Sequence, residues 1–248
     1  MECALSKSSD GFTLVEISIV MMIIGLLIGG TFGGMRPVEN MQVNKTAQDL
    51  KAIESAALTF KSTYGRLPGD FVNPSTRLPN CTEAPCATGG NGNRILGTAN
   101  VGSISEALTP TSEKFTFWSH LQAADLLSVG TKNTTDMDFG EGQPAAAIGG
   151  GFRINQYWQG IVSSVKTCNC HNVRIADVPI AATSSMDPNL VHPFKCEIAR
   201  QIDSKIDDGQ PRSGKIVTHV SCLANAADET SGYGDLTRLT GIAYYFAF

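Results

Sequence analysis

The sequence lacks any long block of lysine and arginine. Its formal net charge is -4, from 19 Lys and Arg against 23 Asp and Glu. Binding to the phosphate backbone of nucleic acid needs a concentrated basic surface. The composition therefore disfavours nucleic acid as a partner, while a basic patch assembled by folding stays open as an alternative.

Recognisable catalytic motifs are also missing. The sequence contains no Gly-x-Ser-x-Gly, no phosphate-binding loop, no dinucleotide fingerprint and no His-Glu-x-x-His. The four histidines, at positions 120, 171, 192 and 219, are scattered along the chain. We therefore expect a protein that is not an enzyme and needs no cofactor, with a membrane-anchored periplasmic enzyme as the least favoured class.

No complete metal-binding motif is present either. Cys168 and Cys170 are separated by one residue, which is too tight for the C-x₂₋₄-C pairs of zinc sites. Asp136, Asp138 and Glu141 superficially resemble a calcium loop, but the fifth position lacks an oxygen ligand and the sixth lacks glycine. We therefore expect no bound metal.

Charged residues are absent from Ile17 to Met35. As a helix, this run is long enough to cross the hydrocarbon core of a bilayer, which needs about 20 mostly apolar residues. No small-residue cleavage site follows it, so it does not have the order of a secretory signal peptide. A plain signal anchor is the simplest interpretation, but it does not explain the carboxylate of Glu16, because ionisable groups near a membrane span are costly.

The residues Gly11-Phe12-Thr13-Leu14-Val15-Glu16, followed by this apolar run, closely resemble the start of type IV pilins and type II secretion pseudopilins. In that family a prepilin peptidase cuts after the glycine, here Gly11, and methylates the new terminus, here Phe12. The resemblance also implies that Glu16 pairs with the terminal amine of a neighbouring subunit, an attraction that is strong when both charges are desolvated. The alternative is that Glu16 simply lies in the headgroup layer, where a carboxylate suits a helix N-terminus.

The resemblance implies an organisation in four parts. These are a leader peptide at 1–11, a transmembrane or filament-core helix at 12–35, an amphipathic extension at 36–64 and a periplasmic or extracellular head at 65–248. Before assembly the chain would lie in the bacterial inner membrane as a single-pass protein with a cytoplasmic N-terminus, and afterwards in a periplasmic or cell-surface filament. The implied partners are membrane lipid, the prepilin peptidase, an inner-membrane assembly platform and other subunits of a homo-oligomeric or mixed filament.

Glycines recur at intervals of four within the apolar run, at Gly25, Gly29 and Gly33. Small residues at this spacing let membrane helices approach closely. The same glycines weaken a helix by up to about 1 kcal/mol each relative to alanine. Close helix packing and local unwinding in a filament are both consistent with the pattern.

An apolar stripe continues the helix beyond Pro37, which predicts a kink. Its members recur at threes and fours, as on one helix face, and are Val43, Ala47, Leu50, Ile53, Ala57, Phe60 and Tyr64. Gly65 and Pro68 then predict the end of the helix. We expect one long bent helix whose first half lies in lipid or in a filament core and whose second half packs on the head.

The rest of the chain predicts an antiparallel sheet with further helices. Residues 71–110 form a long Gly-, Pro- and Asn-rich segment. Helices are predicted at 113–127 and 192–206, with Pro193 in the first turn of the second, and strands at 152–158, 160–165, 172–181, 215–222 and 242–248. A helix followed by an antiparallel sheet is an α+β fold, which is also the pilin-like architecture that the resemblance implies.

Seven cysteines are present, of which Cys3 lies in the leader. The other six follow the apolar run, and their even number predicts disulfides in an oxidising compartment: Cys81, Cys86, Cys168, Cys170, Cys196 and Cys222. Six cysteines allow 15 pairings, so the connectivity stays open. A small loop closed by Cys81 and Cys86 and a bond from Cys196 to Cys222 are the pairings that the predicted elements suggest.

Three functions remain in view. The first is a structural subunit of a type IV pilus-like filament, assembled through its N-terminal helix. The second is a type II secretion pseudopilin or minor pilin that primes a periplasmic filament. The third is a tip adhesin or DNA-uptake subunit that makes contact through residues 71–110.

Overall fold

The computed structural model describes residues 11–97, 108–128, 130, 133–156, 171–176, 194–218, 220–225, 228, 230–240 and 242–246. Within these ranges the side chains of residues 30–37, 155–156, 220 and 239 are not described. The chain divides into two compact units, one ending at Met41 and the other beginning at Gln42. Helix α1, Leu14–Tyr64, contributes to both units.

In the first unit, α1 presents large apolar side chains to solvent. From Phe12 to Ile28 every large apolar side chain is between 45% and 87% exposed. The helix continues through Pro37 without interruption. Among the residues described, no helix combines the length and the apolar character that crossing a membrane requires. The boundary between residues 12–35 and 36–64 stays a prediction.

In the second unit, α1 supplies one wall of the core. The predicted stripe is buried from Val43 to Phe60, and Tyr64 packs against the same core in a part-buried position. The helix ends where the sequence predicts, because Gly65 adopts a φ of 73° and its N–H donates to the Lys61 carbonyl at 2.8 Å. The sequence periodicity therefore identified this core-facing side of the helix correctly.

Two helices follow α1 before the sheet. Helix α2 is a single turn, Pro74–Arg77, inside the segment expected to be irregular. Helix α3, Glu113–Ala123, is shorter than the predicted 113–127, so that C-terminal boundary was wrong. Asp125 takes a φ of 54°, and the Leu126 N–H bonds to the Leu121 carbonyl at 3.0 Å, which closes the helix as a Schellman motif.

The strands of the main sheet are β1 Gly151–Gln156, β2 His171–Ala176, β4 Ile216–Thr218 and β6 Ile242–Phe246. All their pairings are antiparallel, and their order in the sheet is β1-β2-β6-β4. A second sheet pairs β3, Phe194–Lys195, with β5, Leu239–Thr240. A 3₁₀ turn, Val220–Cys222, follows β4. The α+β, pilin-like arrangement of an N-terminal helix and a C-terminal antiparallel sheet is thus confirmed.

Several predicted boundaries need correction. The helix predicted at 192–206 is α4, Cys196–Ile206, because Phe194 pairs with Thr240 as a strand and the Cys196 N–H bonds to the Arg238 carbonyl at 2.7 Å. The strand predicted at 215–222 ends at Thr218. The strand predicted at 160–165 lies outside the described residues, as does Pro193. The same holds for the C-terminal ends of the strands predicted at 152–158, 172–181 and 242–248.

Alternate residues of the main sheet point to opposite faces. One face packs into the core with α1, through Phe152, Ile154, Val173, Ile175, Ile216, Ile242, Tyr244 and Phe246. Glu54 of α1 joins this wall to the sheet, since it accepts a hydrogen bond from the Tyr244 hydroxyl and forms an ion pair with Lys215 at 2.8 Å. The α1 helix and the sheet of the second unit are therefore linked by both apolar and polar contacts.

Candidate functional site

The predicted cleavage site lies just ahead of α1. Gly11 and Phe12 are not helical, and the Phe12 side chain is 83% exposed. A Cβ added at Gly11 would meet no atom within 4 Å. The peptide bond between these residues is therefore accessible to another protein, whereas the leader residues 1–10 lie outside the described part of the chain.

Thr13 and Glu16 form a reciprocal cap at the start of α1. The Thr13 N–H and hydroxyl both donate to Glu16 Oε2, at 2.9 and 2.8 Å. The Glu16 N–H lies 3.3 Å from Thr13 Oγ1, completing a capping box. Thr13 occupies the N-cap position and Glu16 the third helical position. Within a single chain, Glu16 therefore has a local role in starting the helix.

This local role does not use the whole carboxylate. Both hydrogen bonds from Thr13 go to Oε2, and Glu16 is exposed. The other oxygen, Oε1, makes no hydrogen bond to a residue that the structure describes. An additional cationic group from outside the chain can approach it without displacing the cap.

Two of the three predicted packing glycines lie on an open surface of α1. A Cβ added at Gly25 or Gly29 would meet nothing within 4 Å. Gly33 lies in the same helix, one further step of four residues along it. Since residues four apart share a helix face, Gly25 and Gly29 together offer an open surface that a second helix can approach closely.

The head is cross-linked by the two disulfides that the sequence suggested. Cys81 bonds to Cys86 within the 71–97 segment, and Cys196 at the start of α4 bonds to Cys222. All four cysteines are buried. Cys168 and Cys170 lie outside the described residues, so their pairing stays a prediction.

His120, for which the sequence predicted no role, is buried beside the first disulfide and links two loop segments through hydrogen bonds. Its Nδ1 accepts the Gly69 N–H at 2.9 Å, which leaves Nε2 to carry the proton and donate to the Cys86 carbonyl at 3.0 Å. Burial lowers the pKa of His120 to about 4, only partly offset by the bond to Cys86. A histidine buried far from its partners in sequence gives no recognisable local signal.

The side chains of Cys81, Cys86 and His120 offer ligand atoms within 4.8 Å of one another. However, the two sulfurs are joined in a disulfide, and His120 Nδ1 already accepts a hydrogen bond. A metal-bound histidine normally donates its other N–H to an acceptor, which the Gly69 N–H at Nδ1 would prevent. The arrangement therefore fits a structural role for His120 and the disulfide better than a metal centre.

A second cluster lies at the C-terminal end of α4 and in the turn that follows it. Asp203, Asp207 and Asp208 offer carboxylate oxygens within 4.8 Å of one another. Asp203 accepts the Tyr233 hydroxyl at 3.0 Å and the Gly209 N–H at 3.2 Å. Burial raises the pKa of Asp203 to about 7, although the hydrogen bond from Tyr233 acts to lower it. These bonds organise the turn after α4.

The acidic residues that resembled a calcium loop also form a turn. The Asp136 carboxylate accepts the Asp138 N–H at 2.9 Å, and the Glu141 N–H bonds to the Asp138 carbonyl at 3.2 Å. Both interactions are local: the first is typical of an Asx turn and the second of a β-turn. The expectation of no bound metal stays a prediction.

Comparison with known proteins identifies the N-terminal feature. Residues 6–32 match the family model described as the prokaryotic N-terminal methylation motif. The search of curated proteins and the search of solved structures found no significant match. The matched span contains the exposed Gly11–Phe12 bond and the capping box, and ends before the second unit begins. The chain thus carries the N-terminal methylation motif that is characteristic of the type IV pilin and pseudopilin family.

Proposed function

We propose that this chain is a structural, non-enzymatic subunit of a type IV pilus-like filament. The observation that carries the proposal is the methylation motif at residues 6–32, followed by α1 and an antiparallel-sheet head. A prepilin peptidase cleaves after Gly11, and the new amino terminus at Phe12 is methylated. The exposure of both residues ahead of the helix supports this processing.

Assembly proceeds through the exposed surface of the first unit. Its large apolar side chains need lipid before assembly and neighbouring subunits afterwards, since a continuous exposed apolar surface indicates an interaction site. The open surface at Gly25 and Gly29 allows a neighbouring helix to pack closely. Before assembly, the precursor therefore resides in the inner membrane. Its partners during assembly are the assembly platform and other pilin subunits.

Glu16 forms the polar contact between subunits in this assembly. The amine created at Phe12 carries a positive charge when protonated, and an apolar filament interior makes an unpaired charge costly. Glu16 Oε1 is open to the amine of a neighbouring subunit while Oε2 keeps its bonds to Thr13. The same carboxylate then starts its own helix and fixes the position of the next subunit.

Glu16→Ala, Glu16→Gln and Glu39→Gln test this role. Glu39 is an exposed carboxylate of the same helix and serves as the matched control. We expect wild type and Glu39→Gln to form filaments visible by electron microscopy, and both Glu16 variants to remain in the membrane fraction. Glu16→Gln keeps a hydrogen-bond acceptor for Thr13, so its failure would identify the charge as the requirement. Wild-type filament numbers in both Glu16 variants would refute the pairing.

The same micrographs distinguish a major pilin from the alternative of a pseudopilin or minor pilin. Antibody label along the whole shaft supports a major subunit. Label confined to tips supports a minor or priming subunit. Short periplasmic filaments that depend on the secretion machinery support a type II secretion pseudopilin.

A binding role for residues 71–110 is a second candidate, favoured by the ordered loop at 90–97. Asp70 accepts the Gly92 and Arg94 N–H groups, both at 2.6 Å, and is itself fully buried. Glu113 accepts the Asn91 and Gly97 N–H groups at 2.9 and 2.7 Å. The loop is thus held firmly while Asn91, Asn93 and Arg94 face solvent.

Shortening this loop tests the second candidate separately. Removal of 91–94 with closure by a short glycine linker should abolish attachment to DNA or host surfaces while filaments still form. Unchanged attachment by the shortened protein would exclude the loop as the contact.

A further inference from the structure

Two asparagines of the loop at 90–97 form the same kind of turn. The Asn93 N–H donates to Asn91 Oδ1 at 2.9 Å, and the Ile95 N–H donates to Asn93 Oδ1 at 2.8 Å. Each is an Asx turn, in which the side-chain carbonyl folds back over the backbone. The ring closed by this hydrogen bond includes the asparagine Cγ and the backbone nitrogen of the next residue. Each turn therefore holds these two atoms near one another.

The buried carboxylate of Asp70 contacts the residue that follows each asparagine. Its Oδ1 accepts the Gly92 N–H and its Oδ2 accepts the Arg94 N–H, both at 2.6 Å. Asp70 is fully buried, so water does not weaken these charge-assisted bonds. The carboxylate is therefore in place to accept a proton from either backbone nitrogen.

These bonds place a base, a nucleophile and an electrophile next to one another. The backbone nitrogen of Gly92 becomes a nucleophile as Asp70 takes its proton. Attack on Asn91 Cγ develops negative charge on Oδ1, to which the Asn93 N–H already donates. The leaving group is Asn91 Nδ2, which makes no hydrogen bond to a residue that the structure describes. Asn91 is exposed, so the leaving nitrogen can depart into solvent.

The residue after the asparagine distinguishes the two turns. Gly92 has no side chain, whereas the side chain of Arg94 crowds the approach of its nitrogen to the asparagine Cγ. Glycine is also required at position 92, because φ is 74° and a Cβ there would meet Val72 Cγ2 at 2.9 Å. The less hindered nucleophile is therefore Gly92, and Asn93 provides a comparison within the same loop.

We propose that Asn91–Gly92 is a self-modification site, at which Asn91 cyclises onto Gly92 with Asp70 as the base. The Gly92 nitrogen bonds to Asn91 Cγ and gives its proton to Asp70, while the bond from Cγ to Nδ2 breaks. Asp70 returns the proton to the leaving nitrogen, which departs as ammonia, and a cyclic succinimide remains. Water then opens the ring at one of its two carbonyl carbons, which gives aspartate or isoaspartate.

Either product changes the exposed loop. Both replace a neutral amide by a carboxylate next to Gly92, whose carbonyl accepts a hydrogen bond from Arg66 Nη1 at 2.7 Å. Isoaspartate also inserts a methylene into the backbone, between the nitrogen held by Glu113 and the nitrogen held by Asp70. The modification thus alters both the charge and the anchoring of the loop, and it does not depend on the proposed filament role.

The test compares folded with unfolded full-length protein. Freshly purified protein in uncharged detergent and the same protein in urea are incubated at neutral pH and digested at intervals. Tandem mass spectrometry measures the conversion of amide to acid at both asparagines, and electron-transfer fragmentation separates aspartate from isoaspartate. We expect Asn91 to be converted faster in the folded than in the unfolded protein, and faster than Asn93. Equal or slower conversion of Asn91 in the folded protein would overturn the proposal.

Arg94→Gly makes the second turn a copy of the first. The φ of 68° at this position suits glycine, so the variant is expected to keep the fold. Conversion at Asn93 should then rise to the level seen at Asn91. An unchanged rate at Asn93 would contradict the assignment of the backbone nitrogen as the nucleophile.

Asp70→Asn removes the base and should slow conversion at Asn91 by about a hundredfold, the lower end of what a positioned general base contributes. Glu113→Gln is the matched control, because Glu113 holds the same loop through the Asn91 and Gly97 N–H groups without contacting Gly92 N–H. It should convert like the wild type. Equal slowing in both variants would remove Asp70 from the reaction and assign the effect to the rigidity of the loop. Should Asp70→Asn not fold, the comparison of folded with unfolded wild type still decides.

Discussion

His120 should make the stability of the head fall with acidification in a predictable way. Burial holds its pKa at about 4, against an ordinary value of 6.5. A histidine with a lowered folded-state pKa favours the folded state fully above pH 6.5. That contribution is lost progressively between pH 6.5 and about 4, because only the unfolded chain takes up a proton in that window.

The magnitude follows from the shift. Each unit of pKa difference corresponds to about 1.4 kcal/mol, so His120 should account for a loss of about 2 kcal/mol between pH 7 and pH 5. His120 is fully buried, so solvent does not screen the effect. His171 has a similarly lowered pKa of about 4, caused mainly by burial, and adds a loss of the same sign.

The variant His120→Gln isolates this term, because glutamine keeps a donor for the Cys86 carbonyl but does not titrate. Denaturant unfolding of the full-length protein in detergent, followed by tryptophan fluorescence, gives the unfolding free energy at both pH values. Trp118 is fully buried and reports on this region. We expect the wild type to lose about 2 kcal/mol more than the variant between pH 7 and pH 5. Equal losses would refute the buried neutral imidazole, whatever the absolute stability of the variant.

Two further predictions concern the polar contacts of the head. The pKa of Asp203 is raised to about 7, which makes the wild-type head less stable as pH rises from 3.8 towards 7. Asp203→Asn should remove this contribution to the free energy of unfolding, whose pH dependence is opposite in sign to that of His120. An unchanged pH profile of stability in the variant would contradict this. Glu54→Ala should lower the free energy of unfolding by about 1–3 kcal/mol, because it leaves the buried Tyr244 hydroxyl without its acceptor. Tyr244→Phe should lower it less, and Glu54→Ala should cost less in the Tyr244→Phe background than in the wild type. Additive losses in that double-mutant cycle would show that the two side chains do not interact.

The sequence was most informative where structure depends on neighbours along the chain. The 3–4 spacing from Val43 to Phe60 identified the buried face of α1, and Gly65 marked its end. β-Branched and aromatic residues at 152–158 predicted a strand that overlaps β1, and residues 242–248 predicted one that overlaps β6. Each of these features arises from local backbone geometry, which local residue order expresses directly.

Long-range pairing was not accessible in the same way. Nothing near Phe194 indicates that it pairs with Thr240, and that pairing converts the predicted start of α4 into a strand. The end of α3 was missed because aspartate rather than glycine takes the left-handed position at residue 125. The links made by His120 likewise depend on tertiary packing.

The N-terminal motif likewise has one part that the sequence reveals and another that only the structure shows. Residues 11–16 were sufficient to predict the methylation motif that the family model matches, but the reciprocal bonds between Thr13 and Glu16 required coordinates. These bonds give Glu16 a role within its own chain in addition to the proposed pairing between chains. A substitution at Glu16 therefore has to be compared with one that preserves the cap.

The mass of the N-terminal peptide of the mature protein tests the proposed processing most directly. Filaments or membranes purified from the native host are digested, and the peptide that begins the chain is sequenced by tandem mass spectrometry. Cleavage after Gly11 predicts a peptide that starts at Phe12 and carries a methyl group on its amine. An assembled protein that retains residues 1–11 would contradict the proposal.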